Sequence, residues 1–138
     1  MLGLLKRRPH DRAGFQLYGA AVAQARSPHY FAALGVPDTL DGRFDMVALF
    51  AFLLVDRLRQ DESPQGAALA QAVFDAMFSD MDQNLRQMGV SDLSVGKRVK
   101  AMWTAFHGRA HSYQDALDRG DSAMLEAALA RNVWRAEV

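Results

Sequence analysis

Residues 79–100 read SDMDQNLRQMGVSDLSVGKRVK, so an acidic helix end, a glycine-marked turn and a basic helix start follow one another directly. Gly89 followed by Val90 is typical of a helix stop, in which glycine is left-handed and the next apolar residue folds back on the last turn. Ser91 and Asp92 are both candidates to cap the helix that follows. The segment therefore predicts a helical hairpin. Its remaining charges and glycines exceed what a hairpin needs, which makes it the first place to look for function.

Helical periodicity continues outward from this hairpin through the chain. Val, Ile and Thr are scarce, and no segment shows the sustained alternation of a strand. We expect an all-α fold, a single compact bundle of about five to six helices. The expected helices are 14–26, 29–34, 42–60, 64–88, 94–119 and 121 to the C terminus, with Asp41, Ser63 and Asp121 as caps.

The composition of the chain limits the classes of function that it can have. The chain has 138 residues, no cysteine and a net charge of zero at pH 7. This length suits one domain, and the absence of cysteine fits a reducing compartment such as the cytoplasm. Proteins that bind nucleic acid are usually basic, so no specific nucleic-acid partner is expected. The longest apolar run, 46–55, is about half the ~20 residues that a membrane-spanning helix needs.

Residues 1–13 form a basic N-terminal tail ahead of a helical domain at 14–138. The apolar residues 2–5 come before the basic residues 6–8, which is the reverse of the order in a signal peptide. Two interpretations stay open. The tail is a solvated terminus, or it makes weak contact with an anionic membrane surface.

Apolar stripes predict which helices build the core. The helix at 42–60 has apolar side chains all round its middle, which favours a central buried helix over an exposed docking face. Trp103 and Trp134 are expected to anchor helices to one another. The next two helices each carry one stripe: Phe74, Met77, Phe78, Met81, Leu85 and Met88, then Val95, Val99, Met102, Phe106, Ala110, Tyr113 and Leu117.

The opposite face of the fifth helix is basic, with Lys97, Lys100, Thr104, His107 and His111. Gly108 lies beside them, where packing demands no small residue. The face is either solvated or a place where another backbone or ligand approaches closely. A pair of histidines at this spacing can bind a metal, but the Glu that follows the first His in metalloprotease helices is replaced by Gly108. We expect no metal, no cofactor and no catalytic residues.

Three collinear segments resemble one family. They are Tyr18 with the Ala-rich helix up to Arg26, GVPDTLDGRFD at 35–45, and the pattern D-M-D-x-x-L-R-x-M-G-V-x-D-L-x-V-G-K-x-V-K at 80–100, followed by Gly108-Arg109 and Tyr113. Together they span roughly residues 15–118 and resemble the ubiquinol–cytochrome c chaperone family. The family pattern commonly has a His after the Leu at position 49, where this chain has Phe50.

The resemblance implies an assembly factor, not an enzyme, that holds newly made cytochrome b for ubiquinol–cytochrome c reductase (complex III). It implies action at the cytoplasmic face of a bacterial inner membrane, and leaves a ribosome or a partner assembly factor open as a further contact. We expect the client to meet a charged strip next to the Met-rich helices. Its protein-binding residues are Asp80, Asp82, Arg86, Gly89, Asp92, Lys97, Lys100, Gly108 and Arg109.

Two other functions stay open from the residues alone. The bundle could carry an apolar ligand such as a lipid or quinone among residues 44–54 and the Met stripe. It could instead be a metal-dependent hydrolase that uses His107 and His111.

Overall fold

The computed structural model describes residues 10–136, which form helices joined by short connections and contain no strand. The helices are α1 Asp11–Ala25, α2 Pro28–Ala32, α3 Leu40–Arg59, α4 Pro64–Gln87, α5 Asp92–Arg119 and α6 Ser122–Asn132. The predicted all-α bundle is confirmed. None of these helices combines the length and hydropathy that crossing a membrane requires.

The basic segment at residues 6–8 lies outside the described residues. The first helix begins at Asp11, inside the predicted tail. The division of the chain at residue 13 stays a prediction.

Capping side chains start four of the helices. Ser63, Ser91 and Asp121 accept hydrogen bonds from backbone N–H groups three residues ahead, as expected of N-caps. The predicted cap Asp41 is wrong. Thr39 caps α3 instead, because its Oγ1 accepts the Gly42 N–H at 3.0 Å and the helix starts earlier than expected. Asp41 lies in the first turn, where its negative charge interacts favourably with the positive end of the helix dipole.

The turn between α4 and α5 has the predicted glycine geometry. Gly89 has a φ of 87°, in the left-handed region that only glycine adopts freely. The Val90 N–H donates to the Leu85 carbonyl at 3.1 Å, which folds the chain back on the last turn of α4. The hairpin predicted from residues 79–100 is therefore confirmed.

Helix α3 lies centrally, packed against α1 and α4 and touching α5, as its apolar surroundings predicted. Ala51, Val73 and Met77 are fully buried at the centre of the core. Two residues of the predicted apolar stripes are exposed instead. Met88 is 57% exposed because it follows the last turn of α4, and Leu117 is 41% exposed because the buried face of α5 shifts to Ala116 where α6 packs.

The crossing of α1 and α4 depends on a glycine. A Cβ built at Gly14 would lie 2.5 Å from the Ala72 Cβ and 2.8 Å from the Ala72 carbonyl carbon. Real side chains do not approach so closely, so the two helix backbones can meet only because Gly14 has no side chain. Gly19, one and a half turns later, has nothing within 4 Å of the same position.

We expect Gly14→Ala to lower the free energy of unfolding by about 1–3 kcal/mol, the usual cost of overpacking a core. Gly19→Ala is the matched control in the same helix. It should leave stability unchanged or raise it by up to about 1 kcal/mol, since Ala favours the helix and meets no neighbour. Urea denaturation measures both, and equal stability of the two variants would contradict the close crossing.

Candidate functional site

A groove of about 910 Å³ opens between α1, α2, the start of α3 and the C-terminal half of α4. Leu40 and Met88 line it and are 56% and 57% exposed, although both are large and apolar. Its other apolar lining residues are Tyr18, Val22, Ala25, Pro28, Phe31, Ala32, Phe44, Val47, Met81, Leu85 and Met102. Because Met88 and Met102 carry flexible thioethers and are not fully buried, this part of the lining can adapt to differently shaped apolar partners.

A hydrogen bond between α1 and α4 crosses one wall of the groove. The Tyr18 hydroxyl donates to the Asp80 carboxylate at 2.7 Å. Burial raises the pKa of Tyr18 well above its ordinary value of 10.0, and the bond to Asp80 raises it further. The hydroxyl therefore stays a donor at any physiological pH. Charge elsewhere on the groove comes from Arg26, Asp41 and the Asp38–Arg43 ion pair.

Part of the predicted charged strip gathers at the α4–α5 turn. The Arg86 guanidinium pairs with Asp82 within α4 and with Asp92 at the start of α5. Hydrogen bonds to Asp82, then to Asp92, raise the pKa of Arg86. Gly89 lies inside the loop that this clasp closes. The clasp fixes the turn next to Met88 and the groove.

The basic part of the predicted strip lies elsewhere. Lys97 and Lys100 are exposed on α5 and are not among the residues lining the groove. Gly108 is exposed too, with nothing within 4 Å of where its Cβ would lie, so packing does not require glycine there. Of the nine predicted binding residues, only Asp80 lines the groove.

Arg109 points in another direction, into the protein. Its guanidinium lies 2.6 Å from the Asp45 carboxylate, and its side chain is only 17% exposed. Its N–H groups are not aligned on the oxygen, so the contact is an ion pair without a well-directed hydrogen bond. The same guanidinium covers the Phe44 ring, 5.5 Å from its centroid. Arg109 thus stabilises the α3–α5 contact behind the groove wall.

Asp45 holds a second arginine. Its side chain is fully buried, and Arg135 donates to both carboxylate oxygens at 2.9 and 3.1 Å. These bonds raise the pKa of Arg135. Arg135 has a φ of 54°, a conformation that costs a residue other than glycine roughly 1–3 kcal/mol and is held here by the paired charges. Asp45, Arg109 and Arg135 are called the ion cluster below.

Sequence reasoning missed the ion cluster, although a signal was present. Arg109 follows Phe106 by three residues and precedes Tyr113 by four, which places it on the apolar face of α5. A cation on a buried face requires a buried partner. Nothing in the pattern, however, points to Asp45 as that partner.

The two histidines are not arranged as a metal centre. The His107 ring packs on Trp103, with centroids 4.2 Å apart, and on Phe74 at 5.3 Å. His107 and His111 line a second cavity of about 330 Å³. Within residues 10–136 no three His, Cys, Asp or Glu side chains are grouped as metal ligands.

Comparisons with known proteins identify the family of the chain. Residues 32–138 match the family described as ubiquinol-cytochrome C chaperone. The chain belongs to the ubiquinol–cytochrome c chaperone family. The crystal structure of the Cbp3 homolog from Brucella abortus matches this chaperone-family chain with a TM-score of 0.80 and 38% sequence identity, over 99% of this chain and 77% of that one.

Two more distant relatives of the chaperone-family chain are animal proteins. The ubiquinol-cytochrome-c reductase complex assembly factor 1 of Xenopus laevis is 24% identical over 121 residues, which are 88% of this chain and 60% of that protein. The factor of the same name in Mus musculus is 24% identical over 123 residues, which are 89% of this chain and 40% of that protein. The chain thus spans about half the length of these relatives.

We expect Asp45→Asn to lower the free energy of unfolding by about 3–5 kcal/mol, because it leaves the largely buried Arg109 without a counter-charge. Asp38→Asn is the matched control. It breaks an exposed ion pair with Arg43 and should cost less than about 1 kcal/mol. Urea denaturation at neutral pH measures both variants. A small and equal loss of unfolding free energy in the two variants would show that the ion cluster does not hold α3 and α5 together.

Two buried tyrosines predict a loss of stability at alkaline pH. Burial raises the pKa of Tyr113 to about 12 from 10.0, and the pKa of Tyr18 is raised too. Each folded-state pKa lies above the unfolded one, so the contribution of each is complete below pH 10.0 and is lost as the pH rises through the folded-state pKa. Tyr18→Phe should make the fall in unfolding free energy above pH 10 less steep. Urea denaturation across this range tests it, and identical slopes would contradict it.

Proposed function

We propose that this chain is an assembly chaperone that binds newly made cytochrome b during biogenesis of ubiquinol–cytochrome c reductase. It acts by binding, with no catalytic step, at the cytoplasmic face of the bacterial inner membrane. A ribosome or a second assembly factor is a further proposed contact. Membership of the chaperone family supports the client, and the groove supports the way in which it is held.

The exposure of Leu40 and Met88 is the observation that carries the proposal. Two exposed large apolar side chains beside a groove with many apolar lining residues are typical of a binding site, because exposing contiguous apolar surface to water is unfavourable. A membrane subunit that has not yet been inserted exposes the apolar faces of its helices to water. An apolar helix laid into a groove between helices is an established recognition mode. The groove therefore fits an apolar helix of the client.

The groove is preformed on its apolar floor and adaptable at its rim. Met81 and Leu85 are buried in α4, where the core fixes them. Met88 follows the last turn of α4, beside the turn that the Arg86 clasp holds in place. We propose that Asp80, Asp82, Arg86, Gly89 and Asp92 serve client binding through this rim: Asp80 within the groove, the others by fixing the turn.

The other predicted strip residues have separate positions. Arg109 serves the client indirectly in this proposal, since it lies over Phe44 and supports a groove residue from behind. Lys97, Lys100 and Gly108 lie outside the groove, and client contact through them stays a prediction.

Replacing Leu40 and Met88 together by Gln tests the groove. Fully burying one such side chain contributes about 1.5–3 kcal/mol, and every 1.4 kcal/mol is a factor of ten. We expect the double variant to bind cytochrome b at least tenfold more weakly. Membrane cytochrome b, measured by its haem absorbance in cells that lack the native gene, should fall accordingly.

The matched control is Leu53→Gln with Leu117→Gln. These residues are 43% and 41% exposed, and neither lines the groove. Both double variants should unfold at nearly the same temperature as the parent, because all four side chains are exposed and Gln leaves the backbone contacts of the Met88 C-cap unchanged. Normal cytochrome b levels with the folded groove variant would contradict the proposal.

A carrier of a lipid or quinone is the second candidate. The groove volume of about 910 Å³ lies within the range of small-molecule sites. The expected ligand region at residues 44–54 reaches the groove only through Phe44 and Val47, beside the Met residues of α4 and α5. Native mass spectrometry separates the two functions. A stoichiometric apolar molecule retained by the parent and lost in the groove variant would favour the carrier.

A further inference from the structure

The outer side of α5 presents a surface that neither the groove nor the ion cluster uses. We call it the outer α5 face, defined by Leu93, Gly96, Lys97, Lys100, Trp103 and Gly108. All are exposed, and helical spacing places them on one side of the helix. Leu93 is 85% and Trp103 48% exposed, so the face combines apolar and cationic side chains.

The charge of this face is positive and unopposed. The chain has no acidic residue between Asp92 and Asp115. Asp92 is held by Arg86 and Asp115 by Arg119, so neither carboxylate is available to the lysines. Among residues 10–136 no ion pair includes Lys97 or Lys100. The face therefore offers its positive charge to an external anionic partner.

Two glycines make the outer α5 face flatter, because they have no side chains. No atom lies within 4 Å of the position that a Cβ would occupy at Gly96 or at Gly108. Glycine weakens a helix and is not required here by the packing of the bundle. It lowers the surface beside Lys97, Lys100 and Trp103, which lets a broad, flat partner approach these three side chains together.

We propose that the outer α5 face docks the protein on an anionic membrane surface. Lys97 and Lys100 would meet lipid phosphates, which attract cations near the bilayer surface and lose this attraction in high salt. Trp103 and Leu93 would enter the interfacial layer, where amphipathic aromatic rings are favoured. An acidic protein would match the lysines alone. The exposed indole and leucine beside them favour lipid.

Docking through this face leaves the groove open. None of the six residues of the outer α5 face lines the groove, so the protein can hold a client while it rests on the bilayer. The inference does not depend on the identity of that client. It can fail while the groove proposal stands, and the reverse is equally possible.

The test is cosedimentation of the full chain with phosphatidylcholine vesicles, with and without phosphatidylglycerol. We expect binding only to the anionic vesicles. Lys97→Glu with Lys100→Glu should weaken it at least tenfold, and high salt should weaken parent binding similarly. Arg57→Glu with Arg131→Glu is the control, since it makes the same change in charge at exposed positions outside α5 and should keep binding.

A spectroscopic measurement locates the contact. In a Trp134→Phe background Trp103 is the remaining indole, and brominated anionic lipid should quench its fluorescence. Binding unaffected by the α5 reversal, binding independent of lipid charge, or an unquenched Trp103 would each overturn the proposal. So would a reversal that lowers cytochrome b without altering vesicle binding, because the face would then serve a protein partner.

Discussion

The buried carboxylate of Asp45 is the interaction on which the rest of the arrangement depends. It lies at the first turns of α3 and faces two cations, one from α5 and one from the segment after α6. A buried charge tolerates few alternatives, because any shift that separates it from its partners leaves an ion without water or counter-ion. The Asp45 contacts therefore fix how α3 lies against α5, beyond what apolar packing alone would specify.

The contacts of Asp45 also support one wall of the groove. Phe44 is adjacent to Asp45 in α3 and lies under the Arg109 guanidinium while lining the groove. On the opposite wall, the Tyr18–Asp80 hydrogen bond ties α1 to α4. One polar contact thus supports each side of the groove. The arrangement keeps the walls in place while leaving the thioether side chains of Met88 and Met102 free to adapt.

Much of the fold could be predicted from sequence because its boundaries are local. Ser63, Ser91 and Gly89 carry their conformational preferences wherever they occur, and the helices begin and end beside them. Asp41 was misassigned because Thr39, two residues earlier, is also a capping residue type and is the one whose side chain accepts the backbone N–H. The groove could not be predicted in the same way, because it is a space between elements distant in sequence. Arg109 shows the same limit: periodicity places it on the core face, but only the tertiary fold supplies Asp45.

The ion cluster also sets an order for folding on the ribosome. Arg135 lies 90 residues after Asp45, and Trp134, which donates to the Leu34 carbonyl, lies 100 residues after its acceptor. Helices α1, α3 and α4 can pack as soon as residue 87 has emerged, whereas Asp45 has neither arginine partner until α5 and the segment after α6 are made. Contacts between such distant positions form late, since the intervening chain must be closed into a loop first. A nascent chain thus passes through a stage in which the groove helices are present and the carboxylate behind them is still hydrated.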